Sequence, residues 1–207
     1  MVGACMEALG VAVIEADRVC HGLMRAGMPL FAQIVAAFGR DIVAPDGEID
    51  RSILGRRVFG DAAALGRLNA ILHPAALDAI EAWILARREE ARLRGALSGQ
   101  ARRNVGQGRC GVVVAIIPLL YETAQEAAWD RVICVGAPAA LQVERLRSKG
   151  LTEKEARHRM AAQWPVEEKM KRSDYVVFNA GTQMCAQRQT VQVMQHIGIH
   201  VEKSDGR

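Results

Sequence analysis

The sequence predicts an α/β fold: a parallel sheet with a helical lobe inserted between two of its strands. Three observations lead there. Residues 112–117 (Val-Val-Val-Ala-Ile-Ile) are a continuous apolar run, the mark of a strand buried on both faces and hence of a parallel sheet. Shorter runs of the same kind stand at 11–15, 131–135 and 175–178. Between the first two runs, over 18–94, apolar residues recur at helical spacing instead.

The elements follow in order. Val2, Cys5, Met6 and Leu9 share one face, so residues 1–9 read as a helix stopped by Gly10. The strand at 11–15 runs into the acidic pair Glu15 and Asp17. An acid at a strand's carboxyl end is placed to take a proton from an attacking hydroxyl; it is equally placed to cap the next helix. That helix runs to about Arg25. Pro29 opens another, with Leu30, Ile34 and Phe38 inward and Gly39 at its end. Asp46-Gly47 is a turn. Asp50 and Asp61 are set to cap two further helices, and Pro74 to open a long one with Leu77, Ile80 and Ile84 inward. After the strand at 112–117 and that at 131–135, Pro138 starts a helix ending near Arg145, Arg147 and Lys149. Thr152 with Glu155 makes a capping box. Pro165 starts a short helix, and a last one follows Asn179-Ala180-Gly181 to about Ile197.

Composition narrows the classes. The chain has 207 residues, half of them hydrophobic, enough for one domain with an inserted lobe. No apolar run is long enough to span a membrane, and no signal peptide is visible, so a cytoplasmic location is expected. Cys5, Cys20, Cys110, Cys134 and Cys185 are scattered, which suits reduced thiols rather than a disulfide framework or metal cluster. The net charge of +4 is uneven: residues 87–109 hold seven Arg and two Glu, an excess of +5, leaving −1 for the rest. A nucleic-acid binder is expected to carry its basic face on the folded body. Residues 95–110, rich in Gly, Gln and Arg, read instead as a basic flexible insertion.

The pieces together resemble the dephospho-coenzyme A kinase family. The stretches that carry the resemblance include Leu-Gly-Val-Ala-Val-Ile-Glu-Ala-Asp (9–17), Phe-Gly-Arg-Asp-Ile (38–42), Asp-Gly-Glu-Ile-Asp-Arg (46–51) and Arg-Arg-Val-Phe (56–59). Further on come Leu-Asn-Ala-Ile-Leu-His-Pro (68–74), Ile-Pro-Leu-Leu-Tyr-Glu (117–122), Ala-Ala-Gln (161–163) and Asp-Tyr-Val-Val-Phe-Asn-Ala-Gly (174–181). Their order and spacing, rather than any one of them, make the match.

The resemblance implies a P-loop kinase fold, with a nucleotide-binding core from 1–17 and 111–200, a lid about 145–165, and a dephospho-CoA lobe at 18–94. It implies transfer of the ATP γ-phosphoryl group to the ribose 3′-hydroxyl of dephospho-CoA, with Mg²⁺, and no partner among nucleic acids or membranes. Asp17 matches the catalytic acid. Arg57, His73, Leu119 and Glu122 match the acceptor side; Arg145, Arg147, Asn179 and Gly181 match the lid and nucleotide side. Plainer roles stand beside these: a surface ion pair for Arg57, a core histidine for His73, a turn for Asn179 and Gly181. Two departures are visible. Glu15 replaces a more usual Asp, and Lys149 directly precedes Gly150 where the family carries an Arg-Asp pair, so the lid is one residue short.

The largest departure is that no G-x-x-x-x-G-K-[ST] phosphate loop occurs in the 207 residues. Met1 falls where the family's first helix begins, after its first strand and loop. The expectation is a mis-assigned start codon, or second a truncated gene, and a chain that by itself folds poorly and lacks activity. The competing expectations are a catalytically dead relative that binds dephospho-CoA or a partner protein, and a non-functional fragment. In the family's strand order 2-3-1-4-5 the absent strand is the middle one, so the strands near 112–117 and 131–135 should not be hydrogen-bonded to each other.

Overall fold

The structure is a computed structural model that describes residues 1–59, 61–97 and 112–199. Most of the predicted basic insertion therefore lies outside the described residues. Contacts divide the chain into two compact units, one of Ile14–Arg94 with Val113–Ile117, the other of Met1–Val13, Gly95–Val112 and Pro118–Arg207.

The first unit is mainly helical: α2 (Ala16–Leu23), α3 (Pro29–Phe38), α4 (Arg51–Phe59) and α5 (Ala62–Leu97). Leu30, Ile34 and Phe38 are buried along α3, as the spacing predicts, and pack with Ile42, Ile49, Leu54, Val58, Leu68 and Leu72 in one core. Ile34 is wholly buried, worth about 1.5–3 kcal/mol of apolar transfer. Asp50 and Asp61 cap as expected. Asp50 Oδ1 accepts from the Ser52 and Ile53 amides at 2.8 and 3.0 Å. Asp61 Oδ1 accepts from Ala63 and Ala64 at 2.8 and 3.1 Å. The Asp46-Gly47 turn joins Val43 to Ile49 in an isolated antiparallel bridge.

Pro74 corrects one expectation. It does not open a helix; it lies inside α5, which runs unbroken for 36 residues. The ring removes a single N–H, the one due to bond the carbonyl of Ala70. Pro74 itself is exposed, while Ala64, Leu68, Leu72, Ala76 and Ile80 form one buried row at intervals of four. Burial along that row outweighs the local loss of about 3 kcal/mol.

The second unit holds α1 (Val2–Ala8), β3 (Ile133–Gly136), α6 (Ala139–Arg147), α7 (Glu153–Ala161), α8 (Val166–Arg172), β4 (Tyr175–Phe178) and α9 (Gln183–His196). α1 packs on α9, where Ala186, Thr190, Val193 and Met194 are buried. The Thr190 hydroxyl is satisfied by the Ala186 carbonyl at 2.7 Å. The capping box forms: Thr152 accepts from the Glu155 amide, and Glu155 accepts from the Thr152 amide at 2.7 Å. β3 starts two residues later than expected, because the Val132 amide donates to the Asp174 carboxylate at 2.8 Å instead of to a strand.

β1 (Ala12–Glu15) and β2 (Val113–Ile116) pair with each other, and β3 pairs with β4, in two separate two-stranded sheets. β3 and β4 are parallel, with Ile133 opposite Tyr175 and Gly136 opposite Phe178. β2 and β3 fall in different sheets. Burial differs from expectation. Every residue of β1 and β2 is only half-buried, and Val135, Val176 and Phe178 are exposed. A two-stranded sheet has an open edge on each strand, so apolar runs suited to a sheet interior are left partly uncovered. Among the described residues no helix is long and apolar enough to cross a membrane.

Gly136 ends β3 where α8 crosses. A Cβ there would lie 2.5 Å from Met170 Sδ and 3.5 Å from Val166 Cγ2. Gly136→Val should lower stability by about 1–3 kcal/mol through overpacking, and Met170→Ala in the same chain should recover part of it. Urea unfolding of the three proteins checks this; an unchanged midpoint for Gly136→Val would remove the close approach from the account.

Candidate active site

Asp17 is the second residue of α2. The residue in the cap position is Glu15, with φ −108° and ψ 118°, and no side chain caps the helix. The capping role for Asp17 is therefore not what the structure shows. Its carboxylate is exposed and enters no hydrogen bond or ion pair among the described residues. Glu15, by contrast, is held by Arg18 at 2.8 Å. The strand β1 delivers Asp17 beyond its carboxyl end, and the first turn of a helix favours a negative charge there.

Arg57 sits on α4 and is engaged within its own unit. Its guanidinium grips Asp41 through both nitrogens, Nη1 at 3.1 Å from Oδ1 and Nη2 on Oδ2, and Nη1 also donates to the Phe38 carbonyl. Gly39 makes room for this: a Cβ there would lie 2.6 Å from Asp41 Oδ1, and its φ of +88° suits glycine. The Arg57 hydrogen bond holds the Asp41 carboxyl below the usual range, and Asp41 raises Arg57 in turn. A substrate phosphate would have to displace Asp41 to reach this fork. His73, on α5, is half-buried and its ring makes no hydrogen bond among the described residues. Burial lowers its pKa.

The second unit gathers the nucleotide-side candidates. Asn179 follows β4, and its amide donates to the Gly136 carbonyl at 2.7 Å, tying the carboxyl ends of the two parallel strands together. Arg145, near the end of α6, reaches Asn179 Oδ1 through Nη2 at 3.4 Å. The structure thus brings together two residues chosen separately from the sequence. Arg147 is exposed and lines an open cleft of about 530 Å³ with Glu144, Gly150, Leu151, Thr152 and Glu153. Gly181 is exposed, and no close contact requires a glycine there.

Leu119 and Glu122 lie in the loop after β2. Glu122 is committed within its unit: Oε1 takes the Lys169 ammonium at 2.6 Å and the Trp164 amide at 2.8 Å, while Oε2 is buried and unpaired. Burial pushes the Glu122 carboxyl up, but the bonds from Lys169 and the Trp164 amide outweigh it, and the net shift is downward. Sequence reasoning missed Lys169. It stands among the charges of Val-Glu-Glu-Lys-Met-Lys-Arg, in a short helix for which the sequence reading marked only the start at Pro165. The signal was its spacing, since Val166, Lys169, Met170 and Ser173 fall on one side of the helix and are the residues that turn inward.

Among the described residues no three His, Cys, Asp or Glu side chains are grouped to hold a metal. Mg²⁺ in kinases is held by one or two carboxylates together with substrate phosphates, so it needs no such group.

The parallel pair β3–β4 with its helices is an α/β arrangement, and the comparisons place it in the class of P-loop kinases. The family model described as Dephospho-CoA kinase matches residues 1–94 and 96–184. A dephospho-CoA kinase of Geobacillus kaustophilus is 38% identical over 195 residues, 94% of this chain and 88% of the relative. One from Anaeromyxobacter dehalogenans is 42% identical over 179 residues, 86% of this chain and 76% of the relative. Among solved structures, TT1252 from Thermus thermophilus matches with TM-score 0.67 and 25% identity, covering 95% of this chain and 89% of that one. A Campylobacter jejuni dephospho-CoA kinase shares the fold, with TM-score 0.55 and 23% identity over 93% of this chain and 88% of that one. The chain belongs to the dephospho-CoA kinase family.

His73 gives a pH prediction. Burial disfavours its charged form, so its folded pKa lies below its unfolded one. The stability that the neutral ring contributes is present above the unfolded pKa and is lost as pH falls through the folded one. Proton NMR titration should place the His73 midpoint below that of a short unfolded histidine peptide; an equal or higher midpoint would contradict its burial.

Proposed function

We propose that this chain carries the acceptor lobe, the lid and the catalytic acid of a dephospho-CoA kinase, which moves the γ-phosphoryl group of ATP to the ribose 3′-hydroxyl of dephospho-CoA. The observation that carries the reading is the Asp17 carboxylate, exposed and unengaged beyond the end of β1. A carboxylate so placed orients the hydroxyl and accepts its proton as O3′ bonds to phosphorus. The bond from that phosphorus to the β–γ bridging oxygen breaks, and ADP leaves. Arg145 and Arg147 are the lid groups with a fork suited to phosphate oxygens. Arg57 and His73 serve the acceptor, Arg57 by exchanging Asp41 for a substrate anion. Asn179 and Gly181 lie where the adenine of ATP would rest.

Mg²⁺ neutralises donor phosphate charge when bound, but the described donor set supplies no cage for it, and no step here is drawn through the ion. Nor do the 207 residues contain the glycine-rich loop whose amides and lysine hold the donor phosphates. The second reading is a dephospho-CoA-binding relative without transfer activity.

An ADP-release assay decides between them. A polypeptide of these 207 residues alone should show no turnover, and the same residues joined to a strand and G-x-x-x-x-G-K-[ST] loop should show it. In the joined form Asp17→Asn should lower turnover by about 10²–10⁴ with nucleotide affinity nearly intact. Equal rates with and without the loop, or a near-normal Asp17→Asn rate, would contradict the proposal. Acceptor binding without turnover in the joined form would support the second reading.

A further inference from the structure

We infer that Lys169 is a positioning residue: it fixes the loop after β2 to the end of the lid, and so holds the acceptor-contacting loop in its working shape. The inference rests on the proposed function, with Leu119 and Glu122 on the acceptor side as the family resemblance implies. Its geometry stands within the second unit alone.

An ammonium has three donors, and Lys169 has three acceptors. Glu122 Oε1 lies at 2.6 Å, the Pro118 carbonyl at 3.4 Å and Gln163 Oε1 at 3.4 Å. Pro118 and Glu122 bracket the loop after β2, and Gln163 follows α7, the lid helix. The Lys169 and Glu122 side chains are 13% and 14% exposed. The Arg18–Glu15, Arg92–Glu89 and Arg157–Glu153 pairs lie at the surface by contrast, where an ion pair contributes little. A buried pair is a poor source of net stability, but it strongly penalises any arrangement that separates its charges. It therefore acts on geometry more than on stability.

The neighbouring contacts run between the same two segments. Trp164, next after Gln163, donates its amide to Glu122 at 2.8 Å and stacks on Tyr121 with ring centroids 6.1 Å apart and planes 16° apart. Arg172 lies over the Trp164 ring at 4.9 Å. Two successive loop residues, Tyr121 and Glu122, thus hold the residue at which the lid rejoins the body. α7 lies between that anchored end and the Lys149-Gly150 turn, where Gly150 has φ +93°. Lid motion is then confined to the segment before Gln163, and the acceptor loop is held by the lid's fixed end.

The test uses the 207-residue chain with Lys169→Met, Lys169→Arg, and Met194→Ala as a control for lost stability at a buried site on α9. Amide hydrogen exchange should rise selectively over 118–125 and 162–165 in Lys169→Met, stay near normal there in Lys169→Arg, and not rise selectively there in Met194→Ala. Calorimetric titration with dephospho-CoA should show affinity falling about tenfold in Lys169→Met, recovering in Lys169→Arg, and unchanged in Met194→Ala. A uniform rise in exchange, or equal loss of affinity in Met194→Ala at matched stability, would overturn the inference. Failure of the unsubstituted chain to bind dephospho-CoA would count against the proposed function instead; the exchange pattern would still judge the clamp.

Discussion

Lys169 carries a full charge into a place where only 13% of its side chain meets water, and three oxygens must be there to receive it. That requirement organises its surroundings. Glu122 must be ionised and turned inward, the Pro118 carbonyl must face the ammonium, and Gln163 must return from the end of α7 to the same point. Gly136 lets α8 approach β3 closely enough to bring Lys169 there, since a Cβ would strike Met170. Because β3 is parallel to β4, and the Asn179 amide bonds the Gly136 carbonyl, the same helix placement also bears on the strand ends where Arg145 meets Asn179.

The strands impose a second constraint. Their composition is that of a sheet interior, Val-Val-Ala-Ile in β2 and Ile-Cys-Val in β3. Among the described residues each has a single hydrogen-bonded neighbour. Parallel sheets are stable when helices and further strands cover both faces and edges. Half-buried β1 and β2, and exposed Val135, Val176 and Phe178, are what that composition looks like with one ladder per strand.

The sequence made the backbone scaffold legible because its signals are local. Asp50, Asp61 and Thr152 bond amides two or three residues away, so spacing alone shows the caps. Leu30, Ile34 and Phe38 are read from period. Pro74 misled because its local cost was visible while the buried row from Ala64 to Ile80 that overrides it depends on tertiary packing. The site was legible mainly through family motifs, which name residues but not their partners. That Arg57 is engaged by Asp41, 16 residues away, or Glu122 by Lys169, 47 away, is non-local and leaves no periodic trace. Lys169 was hidden because a charge among charges reads as surface, and only the helix's inward side distinguishes it.

The central claim is the destination of the phosphoryl group. The direct measurement is phosphorus NMR of a reaction containing ATP, Mg²⁺, dephospho-CoA and the chain joined to a strand and phosphate loop. The account predicts a new phosphomonoester on the ribose 3′-oxygen, growing in step with ADP and absent when the acceptor's 3′-hydroxyl is removed. ADP formed with inorganic phosphate alone, or a monoester on another oxygen, would contradict it.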